Sequence, residues 1–178
     1  SHESDHYGPY TGSVNSQMLK NIGAHFVIIG HSENREKGEN DKLINLKIKS
    51  ALKAKLKVIF CIGETKSEKR KKRTKLILSK QIKVGLRGIK NKSHIFIAYE
   101  PVWAIGSGII PKSNDLFKII NFIKSKFKGK SPKVLYGGSV NSQNITSLKE
   151  INNIDGFLIG GASQNSKKFI DIIKKTYS

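Results

Sequence analysis

Cysteine and long apolar runs are the features that this sequence most clearly lacks. Its 178 residues include one cysteine, Cys61, which excludes a disulfide within them and is typical of a reducing compartment. We therefore expect a cytoplasmic location. No apolar run approaches the roughly 20 residues of a membrane-spanning helix, so we expect no membrane partner. The length predicts a single domain over residues 1–178, with a core of its own.

Acidic residues are also scarce, with 13 Asp and Glu against 33 Lys and Arg, which gives a net charge of +20. A basic nucleic-acid-binding module is one interpretation of that excess. The densest basic run, residues 66–75, contains no aromatic side chain on which a base could stack. We interpret it as the solvated face of a helix and expect no nucleic-acid partner. No group of His, Cys and carboxylate residues has the spacing of metal ligands, so we expect neither a metal nor another cofactor.

The stretch from Ile95 to Gly108, IFIAYEPVWAIGSG, combines a strand, an acid and a flexible loop. The β-branched start predicts a buried parallel strand. Glu100 ends that strand, because Pro101 has no N–H to continue a ladder. The apolar residues and glycines that follow are typical of a lid over a catalytic base. A charged turn followed by a packed surface loop is the simpler alternative.

The rest of the chain alternates between strands and helices, which indicates a parallel α/β sheet. A polar, turn-rich loop is predicted over residues 2–12, and a short helix follows it and ends at Gly23. We predict strands over residues 26–30, 58–63, 95–99, 134–136 and 156–159. We predict further helices over residues 41–55, 68–86, 116–127, 143–151 and 167–175.

Polar and glycine residues follow each of the five strands directly. A doubly wound sheet uses such residues at one crevice, whereas a (β/α)8 barrel collects them from every strand at one face. Contributions from five consecutive strands favour the barrel. A barrel needs eight strands and about 250 residues, so we expect the last five strand–helix units, with the first three missing before Ser1. The residues concerned are His31, Glu64, Glu100, Ser139 and Gly160-Gly161.

Two kinds of chemistry are suggested by these residues. His31 and Glu100 on one face are candidates for proton transfer, although a histidine there is often only a hydrogen-bonded core residue. Gly137-Gly138-Ser139 and Gly160-Gly161 offer backbone N–H groups that suit an anion, or each is simply a tight turn. Cys61, inside a strand, is interpreted as a buried hydrophobe. Glu33 and Arg35 are interpreted as a supporting or interface pair.

Five motifs together resemble the triosephosphate isomerase family. IGHSENR, CIGET, AYEPVWAIGSG, LYGGSV and GFLIGGAS occur here in that family's order and spacing, from about residue 7 to the C-terminus. The resemblance implies a (β/α)8 TIM barrel, here partial. It also implies the interconversion of dihydroxyacetone phosphate and glyceraldehyde 3-phosphate through an enediolate, in glycolysis and gluconeogenesis. Glu100 would then be the base that moves the proton, and neutral His31 would polarise the carbonyl.

The same resemblance implies further roles. Glu33 would support the site beside His31. The lid would span residues 101–111, with Tyr136 and Ser139 fixing its closed form. The loop at residues 8–12 would dock into a partner subunit, so a homodimer is expected. The substrate phosphate would be held by Gly106, Ser139, Gly160 and Gly161.

Three departures from the family accompany the resemblance. The family's catalytic lysine, in an Asn-x-Lys motif, has no counterpart, so we expect these 178 residues alone to be inactive. Asn34 replaces a frequent Arg, and Ile109 replaces a frequent Lys after the lid tip. These two changes bear on the subunit interface and on lid motion. Another phosphosugar-binding barrel enzyme, a basic nucleic-acid-binding module and a non-catalytic fragment are the alternatives.

Overall fold

The computed structural model describes residues 8–178, which form one five-stranded parallel sheet with helices between the strands. Each strand pairs with the next strand along the chain, in the order β1-β2-β3-β4-β5. The predicted loop at residues 2–12 falls partly outside the described residues. The strands are β1 (Phe26–Ile29), β2 (Lys57–Ile62), β3 (Ile95–Tyr99), β4 (Lys133–Tyr136) and β5 (Gly156–Phe157).

All five predicted strands are present, with ends that differ from the prediction by up to two residues. The helices connect the strands as the alternating pattern predicts. They are α1 (Ser16–Asn21), α2 (Ser32–Glu36), α3 (Asp41–Lys53), α4 (Lys66–Arg70), α5 (Thr74–Gly85), α6 (Ser113–Lys124), α7 (Ile145–Lys149) and α8 (Ser166–Tyr177). Two short 3-10 helices, Val102–Ala104 and Gly161–Gln164, follow β3 and β5.

The single long helix predicted over residues 68–86 is wrong, because the structure has two helices there. Thr65 caps α4 in a capping box, in which Glu68 donates its backbone N–H to the threonine hydroxyl and accepts from the Thr65 N–H. Lys72 has a positive φ of 56°, which ends α4 before α5 begins at Thr74. A continuous helix through this run of like charges would have no stabilising side-chain pairs. The capping box makes α4 begin at Lys66, before the predicted start at residue 68.

The core lies between the sheet and the helices α3, α5 and α6. The central strands β2 and β3 are almost wholly buried, which matches their continuous apolar sequences. Cys61 is fully buried within β2, so its interpretation as a buried hydrophobe is confirmed. No helix of the described part of the chain is long and apolar enough to cross a bilayer.

The carboxyl end of β2 is packed directly against the backbone of Glu100. Gly63 follows β2, and a Cβ atom placed there would collide with the Glu100 carbonyl oxygen. The buried side chain of Gln81 holds Gly63 on both sides, accepting from its N–H at 2.9 Å and donating to its carbonyl at 3.0 Å. Glycine at residue 63 therefore sets how closely two neighbouring strands approach at this end of the sheet.

We predict that Gly63→Ala lowers the free energy of unfolding by about 3 kcal/mol or more, because a backbone atom cannot move aside for the new methyl group. Urea denaturation followed by circular dichroism measures the loss. Gly161→Ala is the matched control, since open space surrounds Gly161, and it should change stability by no more than about 0.5 kcal/mol. Equal stabilities for the two variants would contradict the role given to Gly63.

Candidate active site

A cavity of about 420 Å³ opens at the carboxyl ends of the strands. It brings together residues that follow β1, β3, β4 and β5, as the pattern of polar residues after the strands predicts, but Glu64 after β2 is not part of its lining. Six of the seven predicted site residues line it: His31, Glu100, Gly106, Ser139, Gly160 and Gly161. The seventh, Glu33, lies outside this lining.

Glu100 is a buried carboxylate that faces a histidine. Its residue is 3% exposed, and its N–H continues the sheet by donating to the Ile62 carbonyl at 2.8 Å. One carboxylate oxygen, Oε1, lies 3.4 Å from Nε2 of His31. Burial raises the pKa of Glu100, and His31, the Cys61 thiol and the Ser32 N–H partly oppose that rise. A carboxylate with a raised pKa is a stronger base than one in water.

His31 presents a defined tautomer to Glu100. It precedes α2, and its Nδ1 accepts the backbone N–H of Glu33 at 3.4 Å. When the ring is neutral and Nδ1 accepts a hydrogen bond, the single ring proton lies on Nε2. His31 therefore points an N–H toward the cavity and toward Glu100. Helix α2, which sequence reasoning missed, is the element that fixes this orientation.

The Glu33 side chain is exposed at the surface, and the Glu33 backbone N–H is the group that contacts His31. Arg35, the other residue interpreted as supporting the site, has several partners. Arg35 binds the Asp41 carboxylate at 2.7 Å and donates to the carbonyls of Gly30 and Cys61. Arg35 therefore ties the ends of β1 and β2 together. The supporting role of the Glu33 side chain stays a prediction.

The glycine pairs after β4 and β5 differ in their surroundings. The N–H of Gly137 already donates to the Tyr99 carbonyl at 2.9 Å, and a Cβ there would lie 2.8 Å from the Glu100 side chain. Gly160 and Gly161, by contrast, have no atom within 4 Å of an added Cβ. Within residues 8–178 no hydrogen bond uses their N–H groups. The N–H groups of Gly138 and Ser139 likewise have no hydrogen-bond partner among the described residues, so both predicted anion cradles keep free donors.

Ser139 fastens the loop that follows β3. Its hydroxyl donates to the Ala104 carbonyl at 2.6 Å and accepts from the Gly108 N–H at 3.1 Å. The loop tip, with Gly106 and Gly108 at positive φ, is thereby held over the cavity. Tyr136 was expected to share this role, but its buried hydroxyl has no hydrogen-bond partner among the described residues.

The other end of the same loop is anchored by a second buried carboxylate. Glu64 is 1% exposed and accepts from the Trp103 indole N–H at 2.9 Å and from the Tyr99 hydroxyl at 3.2 Å. The ammonium of Lys69 lies 3.2 Å from the centre of the Trp103 ring. Burial raises the pKa of Glu64, and Trp103, Tyr99 and Lys69 partly oppose the rise. The sequence placed Glu64 after β2 without indicating this contact.

One basic residue of the cavity was missed altogether. Lys168, in the first turn of α8, lines the cavity together with Gly160 and Gly161. A cation beside free backbone donors favours an anionic ligand. Lys168 is one of many lysines in the sequence, and no motif distinguishes it from the others. Across residues 8–178 no cluster of three or more His, Cys, Asp or Glu forms a metal site.

The fold and the cavity define the class of the protein: an α/β-barrel type in which the carboxyl ends of parallel strands supply the site. The model of the family described as triosephosphate isomerase matches residues 2–176. The triosephosphate isomerase of Thermodesulfovibrio yellowstonii is 45% identical over 174 residues, which cover 94% of this chain and 71% of that protein. That of Chlorobium luteolum is 42% identical over 175 residues, covering 94% and 70%.

A solved structure agrees with these relatives. The crystal structure of triosephosphate isomerase from Bartonella henselae superposes with a TM-score of 0.90 at 36% identity, covering 99% of this chain and 75% of that one. The chain therefore belongs to the triosephosphate isomerase family, as the resemblance of its motifs predicts. Its fold is accordingly of the TIM-barrel type.

We predict that Glu64→Gln loosens the anchored end of the loop. The amide no longer offers two charged acceptor oxygens, and a hydrogen bond to a charged group contributes about 1.5–3 kcal/mol. Trp103 is the only tryptophan, so its fluorescence reports the change: acrylamide should quench it more strongly. Glu36→Gln, an exposed charge change in α2, should leave quenching as in the parent. Equal quenching in all three proteins would refute the anchor.

Proposed function

We propose that this chain carries the proton-transfer residues of triose-phosphate isomerisation, which interconverts dihydroxyacetone phosphate and D-glyceraldehyde 3-phosphate. One observation carries the proposal: Glu100 Oε1 and His31 Nε2 lie 3.4 Å apart in a cavity that also contains the free N–H groups of Gly160 and Gly161. A base, an electrophile and an anion cradle are the three parts that the reaction needs.

The geometry suggests how the proton moves. The Glu100 carboxylate removes a proton from the carbon beside the substrate carbonyl, while the Nε2–H of His31 donates to the carbonyl oxygen. The enediolate so formed regains the proton on the neighbouring carbon from Glu100, now protonated. The hydroxyl proton of the first carbon passes to the former carbonyl oxygen by way of Nε2 of His31, so that the carbonyl forms at the first carbon. The raised pKa of Glu100 suits both halves of this cycle, because the acid must also hold the proton between them.

The phosphate is proposed to sit at the far end of the cavity. Gly160 and Gly161 direct their N–H groups to it, and Lys168 adds positive charge beside them. Gly106 and Ser139 close the cavity from the lid side. Water is then kept from the enediolate while the loop at residues 101–111 is held by Ser139.

Exposed apolar side chains support the proposal that further units complete the barrel. On the edge strand β1, Phe26 and Ile28 are 46% and 45% exposed, and Ile170 and Tyr177 of α8 are exposed as well. Strands β1 and β5 each pair on one side only. Three more strand–helix units would cover these faces, close the sheet and supply the lysine of the Asn-x-Lys motif.

The cellular setting follows from the proposed reaction. The two triose phosphates are intermediates of glycolysis and gluconeogenesis, so we propose a cytoplasmic location. We propose that the complete enzyme is a homodimer in which the loop at residues 8–12 docks into the partner subunit. That loop has a turn at Tyr10, whose N–H donates to the Gly8 carbonyl at 2.8 Å.

In the complete enzyme, with the first three strand–helix units supplied, Glu100→Asp should lower kcat by about 100-fold, because the shorter side chain withdraws the carboxylate by about 1 Å. The pH profile should change as well. A base must be ionised, so activity is lost as pH falls through its pKa, which burial raises above 4.5 in the parent. Aspartate has the lower ordinary pKa, about 3.9, so in the variant activity should be lost at a lower pH than in the parent. A kcat within twofold of the parent would show that Glu100 is not the base.

Gly161→Asp, introduced into the same complete enzyme, tests the anion cradle. The carboxylate would stand where the phosphate dianion binds, so KM should rise about tenfold or more by charge repulsion and lost donors. Inorganic phosphate should compete with substrate in the parent and lose that effect in the variant. Gly161→Ala adds a side chain without a charge and should raise KM less than Gly161→Asp does. An unchanged KM in Gly161→Asp would place the phosphate elsewhere.

Complementation tests whether further units are required. We expect the 178-residue chain alone to aggregate or self-associate and to lack isomerase activity, since its sheet edges and apolar faces are uncovered. Adding the first three strand–helix units of a relative as a separate polypeptide should restore activity in the mixture. The same polypeptide with its Asn-x-Lys lysine changed to Met should restore solubility but not turnover. Full turnover by a soluble monomer of this chain would refute both expectations.

A further inference from the structure

A second and larger cavity lies at the opposite end of the sheet from the candidate active site. Its volume is about 690 Å³, and it opens between the loop before β3 and the loop before β4. Ile95 lines it at the start of β3, whereas Glu100 lies just past the other end of that strand, roughly 16 Å away along an extended chain. The two cavities share no lining residue.

Lysine dominates the lining of this second cavity. Six of its thirteen lining residues are lysines, whereas Lys and Arg together make up 33 of the 178 residues of the chain. No Asp or Glu lines it, and no ion pair among residues 8–178 involves these six lysines. The general basic composition does not account for such local enrichment. The lysines are Lys90, Lys92, Lys126, Lys128, Lys130 and Lys133.

Apolar side chains form the floor between these lysines. Ile95 and Pro132 are buried there, and Phe96 and Phe127 are half-buried. The Lys126 ammonium lies 4.1 Å from the ring centre of Phe122, just outside the lining. Lys92 is half-buried and the other five lysines are exposed, so that their positive charges surround a concave apolar floor.

We propose that this cavity binds a small polyphosphate anion. Its volume lies within the roughly 300–1,000 Å³ of small-molecule sites. Lysine binds phosphate as a point charge, and a single phosphate would leave most of the six cations uncompensated. Adjoining phosphates, as in inorganic tripolyphosphate or the triphosphate of a nucleotide, match both the number and the spread of the lysines. The proposal does not depend on the isomerase reaction.

Calorimetric titration with tripolyphosphate at constant ionic strength tests the proposal, with the chain kept soluble by the three added strand–helix units. We expect a single site, and at least a tenfold weaker Kd in the double variant Lys128→Gln/Lys130→Gln. The matched control is Lys37→Gln/Lys42→Gln, which removes the same charge from exposed positions near α2 and α3 and should change Kd less than twofold. No binding, or equal weakening in both double variants, would overturn the proposal.

Two further experiments identify which cavity binds the anion and which kind of ligand it takes. Gly161→Asp should keep tripolyphosphate binding, because that residue belongs to the other cavity; loss of binding in this variant alone would assign the anion to the candidate active site and overturn the proposal. Adenosine triphosphate should compete with tripolyphosphate. A tighter Kd for the nucleotide supports a nucleotide ligand that uses Phe96 and Phe127, and an equal Kd supports inorganic polyphosphate.

Discussion

The close approach of three strand ends around Glu100 is the constraint on which the candidate site depends. Gly63 after β2 and Gly137 after β4 both lack the Cβ that would meet Glu100, on its backbone in one case and on its side chain in the other. Only this packing lets a carboxylate be 3% exposed and still reach His31 at 3.4 Å. Two glycines that look like turn residues in the sequence therefore determine where the Glu100 carboxylate lies.

The same packing has an electrostatic consequence for the whole fold. Burial raises the pKa of both Glu100 and Glu64 above the ordinary value of 4.5. A carboxyl group whose pKa is higher in the folded state binds more protons there than in the unfolded chain. Its contribution to stability is therefore fully present below pH 4.5 and is lost as pH rises through the folded-state value. In their ionised form both groups oppose folding, and the donors around them limit that cost.

The strands, Glu100 and His31 could be predicted because each depends on local sequence: β-branched runs, a proline after the strand and motifs of fixed spacing. The start of α4 could have been predicted from Thr65 and Glu68, whose spacing is that of a capping box, but the basic run concealed it. Lys168 could not, because nothing distinguishes it from its neighbours until the chain folds. The tautomer of His31 likewise depends on α2, a helix too short to show a period.

The loop after β3 is fixed at both ends by contacts of different strength, and this difference bears on how it can move. At its start, the Trp103 indole donates to buried Glu64 and carries the Lys69 cation on its ring. At its tip, Ser107 and the glycines on either side of it are exposed. Among the described residues, the Ser139 hydroxyl is the only hydrogen-bond partner that joins this tip to the rest of the fold. A neutral, partly exposed hydrogen bond is easier to exchange for water than a buried charged one. Opening should therefore begin at Gly108 and leave Trp103 in place, so that the lid hinges about a point beside Glu100.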